Sequence, residues 1–364
     1  MIVSASLSKT FLSATHDFPQ LNSIYIFCTD AERSESLVNV YRKVQCMFND
    51  IDSICEQLKV DTKKCDDDLL GMDVVAPSHK EESNVQEASF MYAQLFKEIL
   101  LDMTYSHAER QEMISYCRLQ YSDNPSELEF IVEFEKDYSE HTPIWWYSRQ
   151  SFLYKMLNKA LRIQDIETLY KLRVFIKDLH TQLVTLHQNS TYNDSIILYR
   201  GQRMRSLDLA NLKTNIGGLL SITNFLSTTS DQRVAYAFAE REMTTPDRTA
   251  VVMRIKNESN ASSRAVFADI DSLSYFAGKE YEWLFSMGSV FRIESMEESR
   301  EGLCCISLIL TNDSDEQLKT LTDYMRRQIW NPNPLLRLGN LMCEMSDFAQ
   351  AEHFFQVSTH VETY

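Results

Sequence analysis

The segment Lys279-Glu280-Tyr281-Glu282-Trp283-Leu284-Phe285 carries two glutamates one residue apart, followed by aromatic and apolar residues that favour a strand. Side chains at positions i and i+2 of a strand project from the same face of a sheet. The carboxylates of Glu280 and Glu282 are therefore expected to converge on one point. The alternative interpretation is a strand edge with two solvated acids, because glutamate is common on protein surfaces.

Two further motifs precede these acids, and a strand–turn–strand pattern follows them. The first is Ile196-Ile197-Leu198-Tyr199-Arg200-Gly201, an apolar strand that ends in an arginine and a glycine. The second is Ile222-Thr223-Asn224-Phe225-Leu226-Ser227-Thr228-Thr229-Ser230. The run from Glu282 to Ile293 then predicts a strand, a glycine turn and a returning strand. The order along the chain is Arg, then Ser-Thr-Thr, then Glu-x-Glu.

This order resembles the R-S-E class of mono-ADP-ribosyltransferases, the group of the arginine-modifying bacterial toxins and the vertebrate ecto-enzymes. The resemblance extends over roughly residues 140 to 310, a little under half of the chain. Where the family usually has Ser-Thr-Ser, this chain has Ser227-Thr228-Thr229, so a hydroxyl is retained at the third place. The resemblance implies that NAD is the substrate, that a protein arginine accepts the ADP-ribose, and that no metal is required.

The resemblance also implies roles for individual residues. Glu282 would stabilise the positive charge that develops on the ribose, and Ser227 would hydrogen-bond to Glu282 and hold it. Glu280 would dock the acceptor guanidinium and take a proton from it. Arg200 would contact the diphosphate, although a structural ion pair at a strand end is its alternative interpretation. The implied cofactor-binding residues are Arg200, Gly201, Phe225, Ser227, Thr228, Thr229 and Glu282.

Two of these assignments have plain structural alternatives. A Ser/Thr run is often only a turn, and Thr228 is expected to help hold that turn. Phe225, with Tyr275 or Phe276, could stack on the nicotinamide or on the acceptor. Buried aromatic residues mostly belong to cores, and the same holds for Trp145 and Trp146.

Two other functions remain open at this stage. The first is an NAD glycohydrolase, which would use the same acids with water as the acceptor. The second is a catalytically inactive scaffold that binds partners through its flanking segments. The presence of all three motifs argues against a decayed enzyme.

Composition and charge exclude several other classes. The 364 residues include 44% hydrophobic and 24% charged residues, which is typical of a globular protein with a sizeable core. The formal net charge of -16 argues against binding to nucleic acid or to an anionic membrane, since both need clustered Lys and Arg. An anionic dinucleotide would therefore have to be held by local positive groups, with Arg200 the leading candidate. No GxGxxG or P-loop motif is present.

The compartment is predicted from cysteines and from the N-terminal segment. The eight cysteines form no CxxC pair and no zinc-like spacing with histidine. No stretch approaches 18 apolar residues, and the first 15 residues lack the regions of a signal peptide. An intracellular, cytoplasmic location is expected, on the condition that the chain starts at the natural beginning of the protein.

The periodicity of apolar residues predicts an α+β protein in three regions. Residues 1–80 contain strand-like runs from Ile2 to Leu7 and from Ser23 to Cys28 and a helical period from Leu37 to Phe48, which indicates a partial α/β domain and a linker. Residues 81–310 are the expected ADP-ribosyltransferase domain, with a helical lobe at 87–190 and a two-sheet mixed β-sandwich at 195–310. Residues 311–364 are expected to form a helical linker and a hairpin.

Individual elements of the second region can be placed more closely. Pro125 and Pro143 are expected to divide the lobe into separate helices. A short helix is expected at 232–240 with Ser230 or Asp231 as its N-cap. Strand-length runs occupy 196–199, 250–255, 282–285, 290–293 and 303–310.

The C-terminal hairpin resembles one tetratricopeptide unit. Leu338-Gly339, Met342, Ala351 and Phe355 fall at the positions that suggest it. A single unit cannot bury its own apolar face, because about three stacked repeats are needed for stability. Either the hairpin docks alone or further repeats follow it, and a protein partner could bind through this tail.

Overall fold

The computed structural model describes most of the chain and divides it into two compact units, Met1–Leu69 and Leu70–Tyr364. The described residues are 2–4, 12, 24–27, 44–55, 57, 70–77, 84–149, 151–190, 196–240, 248–257, 265–278, 281–298, 302–311 and 315–361.

The small unit contains a parallel sheet in the order β1-β2-β3. Its strands are β1 (Ile2–Ser4), β2 (Ile24–Phe27) and β3 (Val44–Phe48). The helix predicted from Leu37 to Phe48 is wrong at 44–48, where the chain pairs with β2. A short apolar run fits a helix or a strand equally well, and pairing with a distant strand decides between them.

The large unit combines a helical lobe with a nine-stranded sheet, which confirms the α+β class. Its helices are α1 (Asn84–Asp102), α2 (His107–Gln120), α3 (Pro125–Asp137), α4 (Pro143–Ser148), α5 (Phe152–Ile163), α6 (Ile166–Lys171), α7 (Arg173–Asn189), α8 (Ser206–Thr214), α9 (Gln232–Glu240), α10 (Glu316–Gln328), α11 (Pro334–Glu344) and α12 (Phe348–Val361). Its strands are β4 (Met72–Val75), β5 (Ile197–Arg205), β6 (Leu219–Ile222), β7 (Leu226–Thr229), β8 (Arg248–Lys256), β9 (Phe267–Asp269), β10 (Glu282–Phe285), β11 (Ser289–Glu298) and β12 (Leu303–Leu310).

Hydrogen bonds join the nine strands in the order β4-β6-β11-β12-β8-β5-β7-β10-β9. The strands expected in two sheets are thus linked into one mixed sheet, in which β8 and β12 are parallel and the other neighbours are antiparallel. Strand β4 pairs with β6, so residues 72–75 belong to the large unit and not to the N-terminal region predicted at 1–80.

The helical lobe is organised around a buried aromatic group. The ring of Phe134 meets those of Trp146, Phe152 and Phe175 edge to face, at centroid distances of 5.1, 5.7 and 6.2 Å. Such tilted contacts are the favoured geometry for aromatic pairs. The predicted core position of Trp146 is confirmed, since only 2% of it is exposed.

The two predicted proline breaks each begin a helix. Pro125 and Pro143 occupy the first positions of α3 and α4. The side chains of Asn124 and Thr142 accept hydrogen bonds from the N–H groups of Glu127 and Trp145, at 3.3 and 3.2 Å. Proline tolerates this position because the first N–H groups of a helix have no partner within it.

The C-terminal hairpin packs into the core of the large unit. Leu338 and Phe354 are fully buried, and the ring of Phe354 lies 5.0 Å from that of Tyr170. A Cβ on Gly339 would lie 2.3 Å from a ring carbon of Phe355, so glycine permits the close approach of α11 and α12. The resemblance to a tetratricopeptide unit stays a prediction.

Candidate active site

Strands β5, β7 and β10 are neighbours in the sheet, and they bring together one residue from each of the three motifs. In the register of β7 with β10, Ser227 lies opposite Leu284 and Glu282 lies opposite Thr229. Ser227 and Glu282 are thus diagonal neighbours on one face. The hydroxyl of Ser227 donates a hydrogen bond of 2.7 Å to Oε1 of Glu282.

Arg200 is fixed next to this pair by two hydrogen bonds. Its Nη1 donates to the carbonyl of Ser227 at 2.8 Å, and its Nε donates to Oε1 of Gln202 at 2.9 Å. Within the described residues, Nη2 has no hydrogen-bond acceptor. The guanidinium is therefore held at one side and keeps donors for an anionic ligand.

Burial and the neighbouring side chains shift the pKa of Arg200 in opposite directions. Burial lowers the pKa of Arg200, while Tyr154, Tyr147 and Glu282 raise it. Because the unperturbed value is so high, the side chain remains a cation. A partly desolvated cation attracts a phosphate more strongly than a cation in water does.

The backbone before Glu282 departs from the predicted strand. Strand β10 begins at Glu282, and Tyr281 has a positive φ of 49°, which few non-glycine residues adopt. The expectation that Glu280 and Glu282 share one face of a strand stays a prediction. Glu280 and Lys279 themselves lie outside the described residues.

A buried network, which the sequence did not reveal, supports the site from the helical lobe. The Tyr147 hydroxyl donates to Oδ1 of Asn158 at 3.2 Å and also lies 3.3 Å from the carbonyl of Phe225. Asn224 donates to the same Oδ1 at 2.9 Å and accepts from the N–H of Gly71 at 2.6 Å. Burial raises the pKa of Tyr147, so it stays a neutral donor. Asn224 stands in the second quoted motif, but its partners are far away in the sequence.

Other predicted cofactor-binding residues have structural partners. A Cβ on Gly201 would lie 1.6 Å from the carbonyl oxygen of Ala235, so this glycine allows α9 to pack on β5. The Thr228 hydroxyl donates to the carbonyl of Trp283 at 3.1 Å. The Thr229 hydroxyl accepts from the N–H of Asp231 at 3.1 Å, at the start of α9. Cofactor contacts by these three residues stay predictions.

The aromatic candidates differ in exposure. Phe225 is only 3% exposed and packs against Tyr147 at a centroid distance of 5.4 Å, so its position disfavours stacking on a ligand. Tyr275 is 45% exposed in the connection between β9 and β10. Phe276 follows it, and their rings meet at 5.2 Å.

The described residues contain neither a metal-binding cluster nor a membrane-spanning helix. In this part of the chain, no group of three or more His, Cys, Asp or Glu could hold a metal ion. No helix among the described elements is both long enough and apolar enough to cross a membrane.

No family model matches the chain, and no curated protein matches it. Solved structures of ADP-ribosyltransferases are similar to it. The Vis toxin from Vibrio splendidus has 20% identity and a TM-score of 0.34, with 60% of this chain and 92% of the toxin covered. HopU1 of Pseudomonas syringae has 22% identity and a TM-score of 0.38, with 64% and 100% covered. C3stau2 from S. aureus, solved with NAD, has 15% identity and a TM-score of 0.35, with 66% and 100% covered.

Proposed function

We propose that this protein transfers ADP-ribose from NAD to the arginine side chain of a protein, with release of nicotinamide. The observation that carries the proposal is the meeting of Arg200, Ser227 and Glu282 on three neighbouring strands. These residues come from the three motifs that resemble the R-S-E class, and they are separated by up to 82 positions in the sequence, from 200 to 282.

Arg200 supplies the positive charge that the dinucleotide needs in a chain with a net charge of -16. Its planar guanidinium suits the paired oxygens of a diphosphate. The hydrogen bonds to Ser227 and Gln202 fix the side chain before the ligand arrives, which reduces the entropy that binding costs.

Glu282 acts on the bond that breaks. Nicotinamide leaves with the bonding electrons, and positive charge develops on the ribose as in glycoside hydrolysis. A carboxylate next to the ribose stabilises this charge, and the hydroxyl of Ser227 holds the carboxylate in place. A prepositioned group of this kind contributes about 100-fold to 1,000-fold in rate.

Glu280 acts on the acceptor. An arginine guanidinium is protonated at ordinary pH, so it becomes a nucleophile only as it loses a proton. In the proposed step, one guanidinium nitrogen bonds to C1 of the ribose while its proton passes to the Glu280 carboxylate. With water as the acceptor, the same site would be an NAD glycohydrolase.

The test measures nicotinamide release and arginine labelling separately for the wild type, Glu282→Gln and Glu280→Gln. We expect Glu282→Gln to lower both activities about 100-fold to 1,000-fold. Glu280→Gln should abolish labelling of an arginine peptide while most of the nicotinamide release remains.

Each contrary result points to a different alternative. Nicotinamide release at equal rates by the wild type and Glu282→Gln would remove the catalytic assignment of Glu282, and no release by the wild type would favour a scaffold. Release without any arginine labelling by the wild type would favour the glycohydrolase. Loss of both activities in Glu280→Gln would contradict the specific role of Glu280.

A further inference from the structure

The connection between β9 and β10, which we call the β9–β10 loop (described at 270–278), leads directly into the candidate site. Its backbone closes on itself, since the N–H groups of Ser274 and Gly278 donate to the carbonyls of Ile270 and Asp271, at 2.8 and 3.2 Å. The side chain of Asp271 accepts from the N–H of Glu282 at 3.4 Å. The first residues of the loop, Ile270 and Asp271, are thus tied to the start of β10, since the N–H of Ile270 also donates to the carbonyl of Glu282 at 2.9 Å.

The end of helix α4 holds the middle of this loop. The N–H of Tyr275 donates to the hydroxyl of Ser148 at 2.7 Å, and this hydroxyl donates to the carbonyl of Trp145 at 3.2 Å. The hydroxyl thus uses both of its functions, as acceptor from the loop and as donor to the helix. The ring of Tyr275 also meets that of Trp145 at 5.3 Å, edge to face.

Arg149 makes a second contact with the ring of Tyr275. Its guanidinium carbon lies 5.5 Å from the centroid of Tyr275 and 4.6 Å from that of Phe130, which are distances for cation–π contacts. Glu133 on α3 pairs with Nη1 of Arg149 at 2.7 Å, and only 16% of the Arg149 side chain is exposed. The Arg149 side chain is therefore held by Glu133 and Phe130 of the helical lobe on one side and by Tyr275 of the loop on the other.

These contacts differ from those that hold the residues proposed to cleave NAD. Glu282 and Ser227 are placed by strand pairing and by their own hydrogen bond, and neither contact involves α4. The loop contains no strand pairing between 270 and 278, so its middle is held by its own turn hydrogen bonds and by its contacts with Ser148 and Arg149.

We infer that Ser148 and Arg149 are positioning residues that hold the β9–β10 loop for the acceptor arginine and contribute little to NAD cleavage. This inference rests on the proposed function, because the loop leads into the segment that contains Glu280. It concerns the orientation of the loop only, and neither residue is assigned a contact with substrate.

The experiment compares Ser148→Ala and Arg149→Gln with the wild type in three measurements. The first is kcat/KM for an arginine peptide, which we expect to fall about fivefold in Ser148→Ala and about tenfold in Arg149→Gln. The second is nicotinamide release without an acceptor, expected to stay within about twofold. The third is amide hydrogen exchange of residues 270–278, expected to become faster in both variants.

Matched variants separate positioning from a general loss of structure. Ser148→Thr keeps the hydroxyl and should restore transfer and slow exchange. Thr185→Ala removes a hydroxyl that donates within α7, and Arg118→Gln removes an ion pair with Glu135 elsewhere on α3. Neither of these controls should change exchange in the loop or the ratio of transfer to cleavage.

The outcomes distinguish this inference from the proposed function. Unchanged hydrogen exchange in the loop of both variants would overturn the positioning role, whether or not the protein is active. An equal fall in transfer and in nicotinamide release would also overturn it, because the two halves of the site would not be separate. Failure of the wild type to cleave NAD would contradict the proposed function. The hydrogen-exchange measurement would still decide whether α4 holds the loop.

Discussion

Two parts of the candidate site are held by different kinds of contact. Arg200, Ser227 and Glu282, which we call the strand half, lie on three hydrogen-bonded neighbours in a nine-stranded sheet. The β9–β10 loop, whose Tyr275 contacts the end of helix α4, depends on single side-chain contacts such as the hydrogen bond to Ser148. Register fixes many positions at once, whereas a loop can change through one contact. Substitutions in the β9–β10 loop or its supports should therefore change the use of the acceptor while the proposed cleavage of NAD is retained.

After Glu282→Gln, the largest effect in the strand half is expected from Arg200→Gln. Loss of charge-assisted hydrogen bonds to phosphate should cost about 3 kcal/mol, which lowers kcat/KM for NAD about 100-fold. Arg200→Lys should recover only part of this, because an ammonium cannot reproduce the planar fork. Steady-state nicotinamide release over a range of NAD concentrations measures the effect.

Arg205→Gln provides a matched control for Arg200→Gln. Arg205 ends the same strand and forms an exposed ion pair with Asp208 at 2.8 Å. Its loss should leave kcat/KM for NAD unchanged. If Arg200→Gln and Arg205→Gln behaved alike, Arg200 would be a structural residue at a strand end.

A side chain of helix α7 also contacts the strand half, at the end of β10. Nδ1 of His180 on α7 lies 2.7 Å from the hydroxyl of Ser286, which directly follows β10. Burial, together with the charge of Lys97, lowers the pKa of His180 from 6.5 to about 4. The folded protein thus keeps this ring neutral at a pH where the unfolded chain protonates it.

The sign of the pH dependence follows from this lowered pKa. Between pH 6.5 and about 4 the unfolded chain binds more protons, so the free energy of unfolding falls as the pH drops. The contribution of His180 is on the order of 3 kcal/mol. Urea unfolding of the wild type and His180→Gln across this range should show a shallower decline in the variant. The exposed His353→Gln should decline like the wild type, and equal slopes in all three proteins would refute the assignment.

Local patterns predicted the strand half well. The bounds of β10, β12 and α9 agree with the predicted segments, and the three motif residues do meet. Strands with a strong apolar run and a helix with an N-cap signal carry their information in neighbouring residues. The expectation that these residues would meet came from the family resemblance, whereas the order of the strands in the sheet was not predicted.

The conformation of the β9–β10 loop and the contacts that support it could not be predicted from the sequence. Tyr281 has a positive φ of 49°, and its aromatic side chain gives no sequence signal for that conformation. The hydrogen bond between Ser148 and Tyr275 joins residues 127 positions apart. The network of Asn158 and Asn224 joins residues 66 positions apart. Strand β4 was missed for a similar reason, because its pairing partner β6 is distant in the sequence.

The smallest effects are expected from Ser227 and Thr228, which are neighbours on β7 and project from opposite faces of the sheet. The two residues test whether one face serves the site while the other serves stability. Ser227→Ala removes the hydrogen bond to Glu282 and should lower nicotinamide release about tenfold, since bonds to charged groups contribute about 1.5–3 kcal/mol. Thr228→Val removes a hydrogen bond to the Trp283 carbonyl, so the free energy of unfolding should fall about 1 kcal/mol while release stays within about twofold. Parallel measurements of unfolding and release decide between them. Should Thr228→Val impair release as much as Ser227→Ala, both faces of β7 would serve the site, and register alone would not explain how the strand half works.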